Sequence, residues 1–327
     1  MANDAYPHAH LFPKAEALLS RADRVLLVMH QRPDGDALGS ATAMSLYLED
    51  LKKPHDIFCL HPTPAHYSFL PNSHLVQTDA SLLTHGDHDV LVSLDSGDLA
   101  YAGIHEHLES RTKERHTIIN IDHHKTNTHF GDLNIVDAQS SSTAEIVYHF
   151  FKSTDHQIST DSATCMLTGI VSDTGGFSNL ATTASALNVA SELLRLGARI
   201  WDIQHYTMKN KSVNALKLWG VVLSRLKRHS SGVVITVLTQ TDMVACNADV
   251  EHAEGIANFL NTLDDARAVF LLSELEPGKI KVSMRTTQPG VDVSHFARVF
   301  GGGGHKKASG LTIPGTIFTH GDSFHVA

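Results

Sequence analysis

The sequence predicts an α/β protein of two domains: a first with a mostly parallel five-stranded sheet flanked by helices, and a second, smaller α+β unit. Three observations predict it. At 327 residues the chain is about twice the usual domain length. From residue 24 onward, short β-branched runs alternate with helical stretches, the signature of a parallel sheet covered on both faces. Beyond residue 228 the order changes to strand, helix, hairpin and helix. The expected boundaries are a first domain over 1–190, a helical linker over 191–228 and a second domain over 229–327.

Each element has a local reason. Strands are expected at 25–29, 56–60, 90–94 and 117–121, where apolar and β-branched residues cluster. Between the first two, Leu38, Ala41, Met44, Leu48 and Leu51 recur at steps of three and four, making 37–51 a helix that Asp36 or Ser40 would cap. Ile146, Val147, Phe150 and Phe151 repeat the pattern over 142–151, and a helix over 183–196 stops at Gly197. Residues 200–228, with Trp201, Leu216, Trp219, Val222, Leu223 and Leu226, read as a helical connector. In the second domain, strands at 232–239, 268–274 and 279–287 accompany helices at 251–264 and 291–300. The last two strands are joined by the turn Glu276-Pro277-Gly278-Lys279. Residues 317–327 show no clear periodicity.

Composition removes several function classes. Apolar residues make up 42% and charged residues 19%, which excludes a disordered or low-complexity chain. The formal charge of −9 argues against coating long nucleic acid. No apolar run approaches the ~18 residues of a membrane span, so no membrane partner is expected. The three cysteines lie far apart without a CxxC spacing, which suits a reducing cytoplasm and leaves no thiolate zinc knuckle. The 24 histidines make any single one a weak signal; only constellations count.

One constellation stands out. In an open parallel sheet, ligands bind beyond the carboxyl ends of the strands. The first strand runs into His30, Asp34 and Asp36, with Pro33 and Gly35 forcing a sharp turn; the third runs into Asp95, and the fourth into Asp122-His123-His124. Asp173 follows the apolar stretch 163–171. Asp34, Asp36, Asp95 and Asp173 would bring four negative charges to one cleft, which like carboxylates do not tolerate without cations. Two divalent ions would neutralise them, with His30 and His123 capping one each and Asp95 and Asp173 able to bridge. A carboxylate and imidazole set without thiolate favours Mn²⁺, with Fe²⁺, Co²⁺ or Zn²⁺ as alternatives. Two such ions activate a bridging water for in-line displacement at phosphorus, so phosphate-ester hydrolysis is the expected chemistry.

These segments, together with Gly302-Gly303-Gly304-His305, resemble in order and spacing the DHH/DHHA1 phosphoesterase superfamily over about residues 20–315. Length and the compact second domain look most like its NrnA-like oligoribonucleases. The resemblance implies an active site in the cleft between the domains and metal ligation by His30, Asp34, Asp36, Asp95, His123 and Asp173. It implies that Asp122 supports the His ligand and that His124 faces the substrate phosphate. It also implies hydrolysis of very short RNA to 5′-mononucleotides and of 3′-phosphoadenosine 5′-phosphate (pAp) to AMP. Relatives in that family usually add a closing amphipathic helix, whereas 317–327 does not read as one.

The second domain carries a local surplus of cations. Between Lys279 and Lys307 there are six Lys or Arg residues and one acid, Asp292. Alternation along 279–287 points Lys281, Ser283 and Arg285 away from Val282 and Met284. The run Gly301 to Gly304 would let backbone N–H groups approach an anion beside His305, Lys306 and Lys307. The family reading makes Arg285, Gly302, Gly303, Gly304 and His305 substrate-binding. Short RNA or small nucleotide phosphates are the expected partners, and a homodimer is compatible with the sequence. The rival enzyme is a linear or cyclic dinucleotide phosphodiesterase on the same site. A pyrophosphatase would lack the GGGH run, and a non-catalytic nucleotide sensor would not keep all six ligand positions filled.

Overall fold

The computed structural model describes residues 6–85, 87–110, 117–207, 211–321 and 323–327. The chain divides into two compact units, Met1–Asn210 and Lys211–Ala327. In the first, helix α1 (Phe12–Arg21) precedes strand β1 (Val25–Met29), helix α2 (Gly35–Asp50), β2 (His55–Phe58), β3 (Val76–Gln77), α3 (Ser81–His85), β4 (Val90–Leu94), α4 (His105–Ser110), β5 (Thr117–Asp122) and β6 (Leu133–Val136). Four helices follow: α5 (Thr143–Ser153), α6 (Thr160–Asp173), α7 (Ala184–Arg195) and α8 (Ile200–Thr207). The sheet has the order β3-β2-β1-β4-β5-β6 with every pair parallel. It therefore has six strands where five were expected. The two edge strands, β3 and β6, are only two and four residues long, too short to show a period in sequence.

Alternation along β1 explains why all five of its residues are buried. Val25, Leu27 and Met29 enter a core with α1, α2, α5, α6 and α7, while Leu26 and Val28 enter a smaller core with Leu83, Leu91, Ala102 and Ile104. A strand buried on both faces reads as continuous apolar sequence, as VLLVM does. Helix α2 begins two residues earlier than its periodicity suggests. Its cap is Asp34, whose Oδ1 accepts the N–H groups of Asp36 and Ala37 at 3.0 and 3.1 Å, displacing Asp36 and Ser40 from that role.

Helices α2 and α6 cross very closely. A Cβ on Gly39 would lie 2.4 Å from the Cys165 carbonyl oxygen, and one on Gly169 would lie 2.5 Å from both the Asp36 carboxylate and Ala144 Cβ. Absent side chains thus bring the start of α2 to the end of α6.

In the second unit, α9 (Val213–Ser224) leads to β7 (Lys227–Arg228), β8 (Val233–Leu238), α10 (Gln240–Ala245), α11 (Ile256–Leu260), β9 (Ala268–Glu276), β10 (Lys279–Arg285), α12 (Val293–Val299), β11 (Gly303–His305) and β12 (Ala308–Pro314). The helix expected over 251–264 is broken because Gly255 adopts φ +89° before α11. The sheet order is β11-β12-β10-β9-β8-β7, mixed, with only β8 and β9 parallel. Residues 317–327, without visible period, form a two-stranded antiparallel sheet of β13 (Ile317–His320) and β14 (Ser323–Val326). Of the 191–228 stretch, α8 buries Ile203 in the first unit's core and α9 buries Leu218 and Val222 in the second's. Among the described residues no helix is long and apolar enough to cross a membrane.

Gly39→Ala should lower stability by about 1 to 3 kcal/mol, the usual cost of overpacking. Gly220→Ala on α9, where a Cβ meets nothing within 4 Å, should raise it by about 0.5 to 1 kcal/mol through helix propensity. Urea unfolding of both variants checks the contrast; a stabilised Gly39→Ala would show that the helix crossing is loose.

Candidate metal centre

The sheet order reverses between β1 and β4, and ligands bind doubly wound sheets at that point, beyond the strand ends. Here β1 is followed by His30, β4 by Asp95 and β5 ends at Asp122 with His123 and His124 next. Asp34 and Asp36 come from the start of α2, and Asp173 is the last residue of α6. Chain topology and the α2–α6 crossing thus deliver all of these residues to one place.

Three overlapping groups of three donors result among the described residues: His30, Asp34 and Asp95; Asp36, His123 and Asp173; and Asp95, His123 and His124. His30 Nε2 lies 3.7 Å from Asp34 Oδ1 and 3.6 Å from Asp95 Oδ2. His123 Nε2 lies 3.1 Å from Asp173 Oδ2, 3.8 Å from Asp36 Oδ2 and 3.5 Å from Asp95 Oδ1. Asp95 therefore turns one oxygen to each histidine, whereas Asp173 groups with Asp36 and His123. His123 Nε2 is buried with no hydrogen-bond partner among the described residues. Donors around one ion with bonds of about 2.0 to 2.2 Å stand about 3 to 3.5 Å apart, close to these spacings. The residues fit divalent cations.

The electrostatics point the same way. Burial, the largest influence, pushes Asp36 well above the usual carboxylate range, and Asp95 and Asp173 add to it. Asp173 is pushed up to about 6, first by burial, against His123 and with Asp95 adding. His30 and His123 are pushed up to about 10: burial opposes their positive charge, but Asp34 and Asp95 around His30, and Asp173, Asp36 and Asp95 around His123, outweigh it.

The carboxylates are fixed by main-chain donors. Asp36, fully buried, accepts the N–H of Thr143 at 2.6 Å and of Ala144 at 2.9 Å, so it sits on the N-terminus of α5. Thr143 Oγ1 donates to Asp95 Oδ1 at 3.1 Å. Asp95 itself has φ +56°, a left-handed conformation that Asp tolerates better than most residues. Asp122 is hydrogen-bonded to both histidines that follow it. Its Oδ1 accepts the His123 main-chain N–H and the ring N–H of His124 at Nδ1, 2.7 Å away, and Oδ2 accepts Asn127 Nδ2. Its side chain thus meets the His124 ring directly while holding the His123 main chain. Burial acts to lower the His124 pKa, but the Asp122 bond and the Asp95 charge hold it above its ordinary value.

Thr143 and Asn127 were not visible as site residues in the sequence. Ser142-Thr143 reads as a helix start, but nothing local says that the helix points at Asp36.

The second unit presents the other residues. Arg285 pairs with Ala308 and Ala308 with His305, so the three share one sheet face, Arg285 and His305 two strand spacings or about 10 Å apart. The next row is Ser283, Gly310 and Gly303, a floor of small residues. Arg285, Lys281, Ser283, Asn258 and Gly255 line a cavity of about 450 Å³ on that face. Arg285 is half-buried and partly engaged, donating Nε–H to Asn258 Oδ1 and Nη1–H to the Met284 carbonyl, both at 3.0 Å. Half of the glycine run, Gly303 and Gly304, lies in strand β11. A Cβ on Gly302 would lie 2.3 Å from the Gly310 carbonyl oxygen and one on Gly304 2.6 Å from that of Ala308, whereas Gly303 is open.

Two family models match: the DHH family N-terminal domain over residues 24–170 and the DHHA1 domain over 220–319. The chain is 30% identical to the bifunctional oligoribonuclease and PAP phosphatase NrnA of Thermus thermophilus, covering 92% of this chain and 87% of that one. It is 25% identical to the Bacillus subtilis protein of the same name, over 90% and 91% of the two chains. An exopolyphosphatase-related protein from Bacteroides fragilis has the same fold, with a TM-score of 0.86, 25% identity and coverage of 95% and 92%. Matched along both domains and nearly end to end, the chain belongs to the DHH/DHHA1 family as an NrnA-like member.

Proposed function

We propose that this chain is a divalent-metal-dependent phosphoesterase that hydrolyses very short RNA to 5′-mononucleotides and pAp to AMP, with Mn²⁺ as the working ion. The observation that carries the reading is the pair of donor groups sharing Asp95. His30, Asp34 and Asp95 would hold one ion; Asp36, His123 and Asp173, again with Asp95, the other. Bound there, divalent ions supply Lewis acidity toward phosphoryl oxygens and lower the pKa of water. The substrate class comes from the names of the two NrnA relatives. Three free cysteines, two of them buried, suit the cytoplasm as its setting.

The protein's own groups do the rest. Asp122 accepts a hydrogen bond from the Nδ1–H of His124 and so leaves Nε2 to face a phosphoryl oxygen, where a protonated ring donates to developing negative charge. No Ser or Cys takes part as a nucleophile in this scheme. In the second unit, Arg285 and His305 flank a strip made flat by Ala308, Gly310 and Gly303, which suits a planar base with a phosphate at its edge. Gly302 and Gly304 keep that strip in shape.

Metal loading should release protons. Imidazoles held protonated up to about 10 must give up their protons to an ion, so affinity rises as pH rises through the neutral range. Calorimetric Mn²⁺ titration in buffers of different ionisation enthalpy should find two ions and about two protons released. Asp95→Asn should weaken both ions and His30→Ala mainly one; a single ion in the active protein would overturn the assignment.

Length preference follows from charge. A local surplus of +5 over residues 279–307 inside a chain of −9 offers one nucleotide anchor but no basic track. Activity should peak at about two to five nucleotides and fall for a 24-mer. Arg285→Ala should lower kcat/KM on short substrates by roughly 10- to 100-fold, the scale of one charge-assisted contact, with metal content unchanged. A panel of pAp, 2-mer to 24-mer RNA and cyclic dinucleotides reads this directly. Equal rates on dimer and 24-mer would remove the anchor model, and a preference for cyclic dinucleotides would replace the substrate.

A further inference from the structure

A metal-binding imidazole ordinarily donates its second ring N–H to a carboxylate or carbonyl, which fixes its tautomer and the angle of its ring. His30 lacks that device. Its Nδ1 is buried and has no hydrogen-bond partner among the described residues, and the ring is nearly inaccessible to water. Something else has to set the direction of Nε2.

The ring of Tyr101 lies over His30, with centroids 5.1 Å apart and planes 25° apart. This is not a loose surface contact. The Tyr101 N–H donates to Asp98 Oδ1 at 2.6 Å, and its carbonyl accepts the N–H of Gln31, the neighbour of His30, at 3.2 Å. Ala102 and Ile104, just beyond, are fully buried in the core on the far side of the sheet. The loop after β4 is therefore hooked to the end of β1 and pinned beneath, and it carries an aromatic face onto the imidazole. Offset stacking of this kind restrains ring rotation without a polar partner.

We propose that Tyr101 is a positioning residue of this centre, its ring setting the angle at which His30 presents Nε2 beside Asp34 and Asp95. The inference rests on the metal-centre reading above and concerns one ion of the two. The phenol hydroxyl has no part in it, because contact is through the ring face.

The test uses the full chain stripped of metal, with Tyr101→Phe, Tyr101→Leu and Tyr101→Ala beside the wild type. Because 46% of Tyr101 is exposed, the variants should fold, which circular dichroism checks. Mn²⁺ binding is measured by calorimetry and turnover against Mn²⁺ concentration. Tyr101→Phe should bind both ions within about twofold of wild type. Tyr101→Leu and Tyr101→Ala should weaken one ion about 10-fold and leave the other unchanged, with turnover recovered at excess Mn²⁺. Normal binding of both ions by the Leu and Ala variants would overturn the proposal, and lost turnover with it would make Tyr101 a substrate contact. A Phe variant as impaired as Ala would overturn it too, by assigning the effect to the hydroxyl. A wild type that binds no Mn²⁺ would bring down the metal reading itself.

Discussion

Four carboxylates meeting beyond the strand ends, two of them, Asp36 and Asp95, almost wholly buried, are the constraint on which this structure turns. Left alone they would repel one another, and burial together with that repulsion raises the pKa of Asp36 and Asp173. A hydrophobic core gains nothing from such a cluster. The first unit therefore holds a cluster that opposes its own formation unless cations neutralise it.

Each restraint answers that repulsion differently. Asp36 rests on two main-chain N–H groups of α5, so the partial positive end of a helix offsets its charge. Asp34 serves α2 as its cap, which ties a candidate ligand to the start of the same helix. Asp173 has no such help at the end of α6, where the helix end is negative. It is brought there by Gly39 and Gly169, which let α2 and α6 approach closer than any side chain would allow.

Much of this was legible in the sequence, and for a physical reason. In a parallel sheet all strands end on the same side, so acidic and histidine residues just past 25–29, 90–94 and 117–121 must converge whatever the details of the fold. Two-residue β3 and four-residue β6 were not legible, because so few residues carry no period. Nor was the bond from the His124 ring to Asp122, since strand alternation does not say which of two adjacent imidazoles a carboxylate will meet. Thr143 stayed hidden for the same reason that its contact matters: it reaches Asp36 from 107 positions away in the chain. Gly255 broke a helix whose apolar spacing looked continuous, by taking a left-handed backbone.

The left-handed backbone of Asp95 has an evolutionary side. Conformation admits Gly, Asn and Asp at that position with little strain, while a β-branched or longer residue is disfavoured there. Chemistry narrows the three to Asp. Glutamate, the usual charge-preserving exchange, is disfavoured by that backbone, so keeping the charge by any other residue carries a conformational cost. Drift can leave this position cheaply only to asparagine or glycine, each a single base change that keeps the loop and discards the shared carboxylate. A lineage abandoning the chemistry while keeping the fold would be expected to carry that scar first.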